Sequence, residues 1–147
     1  MIRSLEFNDL DALLQLYTFL HPGDDAPPER KIVEQVWQQA LTTPGTRYLG
    51  GFVGTHLVSS CNIVVIANLT RACRPYGVIE NVVTDPQFRQ QGWGKRLLAA
   101  ALEYAWAERC YKVVLTTSRS DEATLRFYEN AGFNRHDKKA FIARAPD

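Results

Sequence analysis

Sulfur chemistry is scarce in this chain. The three cysteines, Cys61, Cys73 and Cys110, are odd in number and far apart. They make no CxxC pair and never fall at ligand spacing with His21, His56 or His136, so reduced thiols are expected, with no disulfide framework and no metal. Long hydrophobic runs are missing as well. The longest, residues 63–67, is the length of a strand and cannot span a bilayer. Acids in "MIRSLEFNDLDALL" stand where a secretory leader would carry its apolar core, so a cytoplasmic, soluble chain with no membrane partner is expected. There is no excess of one charge: the net charge is +1 and the basic residues are scattered, which argues against a nucleic-acid partner. No internal repeat, low-complexity tract or Gly/Ser linker divides the 147 residues, a length that suits one domain over 1–147.

What is present is an alternation of strand and helix patterns. "MIRSLEF" reads as a short strand. Asn8 or Asp9 is then expected to cap a helix carrying Leu10, Leu13, Leu14, Tyr17 and Leu20 at helical spacing. "HPGDDAPPE" is a loop, and a second helix is expected from Arg30 to Leu41 with Ile32, Val33 and Val36 on its apolar stripe. Strands follow at 47–53, 57–67 and 78–85, and "RACRPYG" is a loop between the last two. A long helix then carries Leu97, Leu98, Ala101, Leu102, Ala105 and Trp106 on one face. "KVVLTT" has the β-branched content of a fully buried strand. A helix from about Asp121 to Asn130, capped by Gly132, precedes "FNRHDKKAFIARA", which reads as a closing hairpin. The order is β-α-α-β-β-β-α-β-α-β-β, an α/β chain whose mixed sheet should be covered by helices on both faces. The unit from Val78 to Thr117 should be a parallel crossover.

The start of the long helix, "FRQQGWGKR", is unusual. Glycine in a first turn costs up to about 1 kcal/mol relative to alanine. Lys and Arg there face the positive end of the macrodipole. An anion would reconcile both. Gly92 and Gly94 leave the first-turn amides uncovered, Arg89, Lys95 and Arg96 add charge, and no acid lies between Pro86 and Leu102. Spacing alone leaves two readings: a phosphate site, or a glycine-rich turn with solvated cations. GxGxxG fails at Leu97, so this is not a dinucleotide fingerprint.

The wider segment "VVTDPQFRQQGWGKRLL" resembles the acetyl-CoA signature of the GNAT superfamily of N-acetyltransferases, R/Q-x-x-G-x-G/A, here Arg89-Gln90-Gln91-Gly92-Trp93-Gly94. "DEATLRFYENAGF" is similar to that superfamily's N-x-x-A-x-x-x-Y-E-x-x-G-F, with Asp121 in the place of Asn and Thr124 in that of Ala. The resemblance covers about residues 76–144. It implies a GNAT-like fold with acetyl-CoA as co-substrate. Backbone groups of Val82, Val83 and Thr84 would line the pantetheine arm, and the amides from Arg89 through Gln90, Gln91, Gly92, Trp93 and Gly94 to Lys95 would bind the pyrophosphate. Tyr128 would protonate the departing thiolate, the alternative being a core aromatic beside Phe127. Asp121 would either bond to cofactor amides or cap its helix, and capping is the expected use.

Acetyl transfer to an amine needs a neutral nucleophile. In "GVIENVVTD" strict alternation puts Val78, Glu80 and Val82 on one face and Ile79, Asn81 and Val83 on the other. Glu80 is then a carboxylate among aliphatic side chains. Desolvation would raise its pKa and suit it to act as a base, directly or through water; the alternative is a paired or edge-exposed glutamate. "GVIENVV", "RCYKVVL" and "RFYENAGF" are together similar to glucosamine-phosphate N-acetyltransferases, which makes an amino-sugar phosphate a candidate acceptor. Asp24 and Asp25 could attract a cationic amine or be plain surface. Trp37 and Trp93 are cleft aromatics or core. No cysteine sits in either motif, so direct attack on the thioester is expected, without a covalent enzyme intermediate. The leading expectation is an N-acetyltransferase acting on a small-molecule amine. A non-catalytic acyl-CoA sensor, an acetylase of peptide amines and a simple phosphate-binding domain are the alternatives. A homodimer paired through the C-terminal hairpin is a further expectation.

Overall fold

A computed structural model describes residues 1–146. Two compact units make it up, residues 1–115 and the segment from Thr116 onward.

The first unit is a five-stranded sheet in the order β1 (Ile2–Ser4), β2 (Thr46–Val53), β3 (His56–Ile66), β4 (Tyr76–Thr84), β5 (Val113–Leu115). The first three pairings are antiparallel and β4–β5 is parallel, as the crossover pattern required. Helices α1 (Leu10–Tyr17) and α2 (Arg30–Thr42) precede β2, and α3 (Trp93–Ala107) joins β4 to β5. Two adjacent glycines show that both faces are covered. A Cβ on Gly50 would strike Leu5 and Leu57, which lie in the core with α1 and α2, whereas a Cβ on Gly51 would sit 2.9 Å from the Trp93 ring of α3. Both tryptophans offered as cleft aromatics are therefore core: Trp93 packs on Gly51, and Trp37 meets Tyr48 edge-on at 4.9 Å while its Nε1 donates to the Phe7 carbonyl.

Several expectations are corrected. In α2 the apolar stripe is Val33, Trp37, Ala40 and Leu41; Ile32 is 42% and Val36 61% exposed. The large Trp37 ring sets the helix rotation, turning its predecessor outward by about 100°. In α1 Leu16 joins Leu10 and Leu13 as fully buried, while Leu14, Tyr17 and, just past the helix end, Leu20 pack half-buried against that core as expected. Asp9 does not cap that helix: its carboxylate accepts from the Glu6 N–H and from both terminal nitrogens of Arg3, closing a box around a 3-10 turn at Phe7–Asp9. β5 is half-buried because it pairs for only three residues and only with β4. "RACRPYG" holds a turn in which Arg71, Ala72 and Cys73 are all left-handed, with φ between 55° and 58°. Cys73 is exposed there, while Cys61 is buried, its thiol pushed up to about 12 by desolvation.

In the second unit, α4 (Glu122–Asn130) is capped by Asp121, whose carboxylate accepts from the Thr124 N–H and hydroxyl and from Arg119 Nε. It ends as expected. Gly132 takes φ 104°, its N–H bonds to the Glu129 carbonyl, and the Phe133 N–H reaches back to Tyr128. Arg135 then pairs with Glu122 and Glu129 and holds their carboxyls below the usual range. The closing hairpin does not form: among the described residues, none from 134 onward lies in a strand. Phe141 and Ile142, the large apolar residues of the segment, are adjacent, so a strand would send them to opposite faces, and both are exposed.

Candidate active site

The site begins with an irregularity in β4. Ser60 pairs with Val83 but Asn62 pairs with Glu80, so Asn81 and Val82 together oppose the single residue Cys61. This is a β-bulge, and Asn81 carries the left-handed φ of 54° that makes it. The bulge breaks the strict alternation expected from the sequence. Glu80 lies in one cross-strand row with Asn62 and Tyr48, on the α1/α2 face, and Val83 packs into the core of that same face. Glu80 is exposed. The side chain therefore stands at the exposed rim of the row, where the burial expected from the alternation is not met.

The same bulge sets which backbone groups face outward. β5 pairs with Gly77, Val78 and Ile79 alone, so the edge of β4 beyond Ile79 has no strand beside it in this unit. The Asp85 N–H bonds to the Val58 carbonyl and the Val83 carbonyl accepts from Ser59 Oγ, which turns the backbone of both residues toward β3. The pleat then gives the open edge to Asn81, Val82 and Thr84. Val83, expected to line a ligand through its backbone, faces the other way.

From Thr84 the chain runs straight into the turn. Asp85, buried, accepts from the Gln87 N–H and stabilises a 3-10 turn at Pro86–Phe88. Arg89 folds back with Nε 3.3 Å from the Thr84 carbonyl. Gln90 and Gly92 take φ of 60° and 80°, and α3 starts at Trp93, five residues later than "FRQQGWGKR" suggested. Gly92 at the N-cap offers no side-chain bond, and the first intrahelical bond found is from the Arg96 N–H to the Gly92 carbonyl. The N–H groups of Trp93, Gly94 and Lys95 are thus the unpaired first-turn donors. Gln90, Gln91 and Lys95 are exposed around them, and Arg96 stacks 3.9 Å over the Trp93 ring. An open strand edge leading into a charged, glycine-capped helix start suits an extended ligand that carries phosphates at one end.

Elsewhere, Tyr128 lies half-buried on α4 between Phe127 and Phe133, with ring centroids at 5.0 and 6.4 Å. Asp121 serves as the cap already described. Asp24 and Asp25 lie on an exposed loop, where Asp24 accepts from the Asp25 N–H. Three contributors escaped the sequence reading: Ser59, Asn62 and Asp85. The signal for Asn62 was available, since asparagine is depleted in strands and this one interrupts "CNIVVI".

The model of the acetyltransferase (GNAT) family matches residues 10–133. The chain belongs to that family. Among the relatives of this acetyltransferase, glucosamine 6-phosphate N-acetyltransferase of Trypanosoma brucei brucei is 39% identical over 94% of this chain and 91% of its own. Aminoglycoside N(6')-acetyltransferase type 1 of Serratia marcescens is 24% identical over 98% of each. A solved Trypanosoma brucei acetyltransferase structure is 30% identical with a TM-score of 0.80, covering 98% of this chain and 99% of that one. One from Agrobacterium tumefaciens C58 reaches 0.93 at 36% identity over 99% of both. The chain is thus an N-acetyltransferase using acetyl-CoA, and its residues fit that co-substrate: an open strand edge for an amide-bearing arm and unpaired amides with cations for a pyrophosphate. Among the described residues no group of His, Cys, Asp and Glu is arranged to hold a metal, and no helix is long and apolar enough to cross a membrane.

Proposed function

We propose that this acetyltransferase acts as one domain in the cytoplasm and acetylates the primary amine of a small molecule by direct attack, with an amino sugar or amino-sugar phosphate as the first acceptor class to test. The observation that carries the reading is the open edge of β4 beyond Ile79 running into the glycine-capped start of α3. Asn81, Val82 and Thr84 hold the pantetheine arm through backbone groups. The amides from Gly92 to Lys95, with Arg89 and Lys95 beside them, hold the pyrophosphate. Bound there, acetyl-CoA supplies an acetyl group activated as a thioester. Glu80, on the rim of the Tyr48–Asn62–Glu80 row, takes through a water the proton that the acceptor's ammonium must lose. The Tyr128 hydroxyl gives a proton to the departing sulfur, a role that rests on the match of "RFYENAGF" to the family motif. The acceptor class is supported by the names of the Trypanosoma brucei brucei and Serratia marcescens relatives, both enzymes of amine-bearing sugars.

The test is release of CoA thiol from acetyl-CoA with glucosamine 6-phosphate, an aminoglycoside, a polyamine and a peptide amine, run on wild type, Tyr128→Phe and Glu80→Gln. Turnover with one sugar amine, reduced about 100-fold or more in each variant while acetyl-CoA still binds, is expected. Wild-type turnover confined to the peptide would replace the acceptor class. Undiminished turnover in either variant would remove that residue from its role.

A further inference from the structure

The bulge in β4 is held by a side chain on the neighbouring strand. Asn81 Nδ2 donates to Asn62 Oδ1 at 2.9 Å, and Asn62 is buried. Ladder bonds are interrupted here, because Cys61 faces two residues at once. Two residues further along, Ser59 Oγ donates to the Val83 carbonyl and lies 2.8 Å from Thr84 Oγ1, so β3 side chains brace both ends of the bulge. Asparagine suits position 81 twice over: it tolerates the left-handed conformation, and its amide reaches a partner.

We infer that the Asn62–Asn81 pair is a positioning device for the cofactor: it fixes the phase of the β4 backbone so that Asn81, Val82 and Thr84, and not Val83, face the open edge. The inference rests on the proposed docking of the pantetheine arm along that edge. The pair touches no reacting atom; it acts through the strand. Backbone groups one residue out of phase would point at β3, and the arm would lose its partners. Loss of the clamp without loss of the fold leaves the strand sampling both phases. Affinity for the arm then falls, while the phosphate turn, which Asp85 and Gly92 shape independently, keeps its own.

Binding of two probes separates these effects: acetyl-CoA, and 3′-phospho-ADP, the nucleotide part of CoA without its arm. Each is titrated calorimetrically against wild type, Asn62→Ala, Asn81→Gly and Asn81→Asp. Asn81→Gly keeps the φ freedom but removes the donor. Asn81→Asp keeps a partner, because the Asn62 amide can turn its Nδ2 toward the carboxylate. Asn62→Ala and Asn81→Gly are expected to weaken acetyl-CoA about tenfold and 3′-phospho-ADP less than twofold, with Asn81→Asp close to wild type. Equal weakening of both probes, or wild-type acetyl-CoA affinity in both clamp-deleted variants, overturns the inference. Failure of the underlying reading looks different: wild type itself would then bind acetyl-CoA no better than 3′-phospho-ADP.

Discussion

Replacing Gly92 by alanine tests the anion site and separates two effects that usually travel together. At φ 80° the N-cap lies in the left-handed region, where an L side chain costs about 1–2 kcal/mol. Packing adds little to that cost, because a Cβ built on Gly92 meets nothing within 4 Å beyond its chain neighbours and its own turn. At about 2–4 °C per kcal/mol for a chain of this size, the melting temperature should fall by about 2–8 °C. If an anion sits on the first-turn N–H groups, the same Cβ, projecting into open space at the N-cap, crowds it. An anion held there by charge-assisted bonds worth about 1.5–3 kcal/mol each is pushed off at least one of them, so affinity should fall about 10- to 100-fold. Calorimetric titration with acetyl-CoA reads the second effect and thermal melting the first. Ala99→Gly is the control: Ala99 is exposed on α3, so the change costs about 1 kcal/mol by helix propensity and touches no ligand group. If Gly92→Ala lowers the melting temperature as far as the control does and leaves acetyl-CoA affinity within twofold of wild type, the glycine serves the turn alone and no anion sits on those amides.

Two further perturbations test how the site is supported. Gly51→Ala puts a Cβ 2.9 Å from Trp93 Cε3, a buried ring that cannot swing away, so a loss of about 1–3 kcal/mol is expected by denaturant unfolding; an unchanged midpoint would mean that Trp93 is not fixed against the sheet. Asp9 tests acid stability: its hydrogen bonds from Arg3 hold the carboxyl below the usual range. A depressed folded-state pKa stabilises fully above the unfolded value of about 3.9 and loses that contribution as pH falls through the folded value. The difference in melting temperature between wild type and Asp9→Asn should therefore be largest near neutral pH and narrow as pH falls below about 3.9; a gap that stays constant down to pH 2 would show that the pair contributes nothing ionic.

The sequence disclosed the proposed cofactor side far better than the proposed acceptor side, for a physical reason. Residues 77–96 carry their own instructions: β-branched residues for the strand, Asp85-Pro86 to stop it, glycines where φ turns positive, and cations with no acid nearby. Each is a local preference, legible without knowing what packs against it. The bulge was not legible, because it depends on which β3 residue stands opposite, and Cys61 and Asn62 are some twenty positions upstream. That one inserted residue overturned the placement of Glu80 relative to Val83 and of the Val83 backbone. The stripe of α2 failed in the same manner: Ile32, Val33, Val36 and Trp37 offer two overlapping helical repeats, and only the partner surface around Tyr48 chooses between them. The closing hairpin failed because Phe141 and Ile142 are adjacent and could never share one face of a strand.

The proposed acceptor side, beside the row that carries Glu80, has the opposite character. Tyr48, Asn62 and Glu80 come from three strands and meet only through register, so no contiguous motif encodes them. In the proposed site backbone amides hold the cofactor and tolerate many side chains, whereas the acceptor is chosen by side chains. For this chain the consequence is a separation of parameters. Substitutions at Tyr48 should redistribute turnover among amines while leaving acetyl-CoA affinity untouched, because that ring stands two strands away from the open edge of β4. Substitutions in the Gly92 turn should weaken every acceptor's turnover alike.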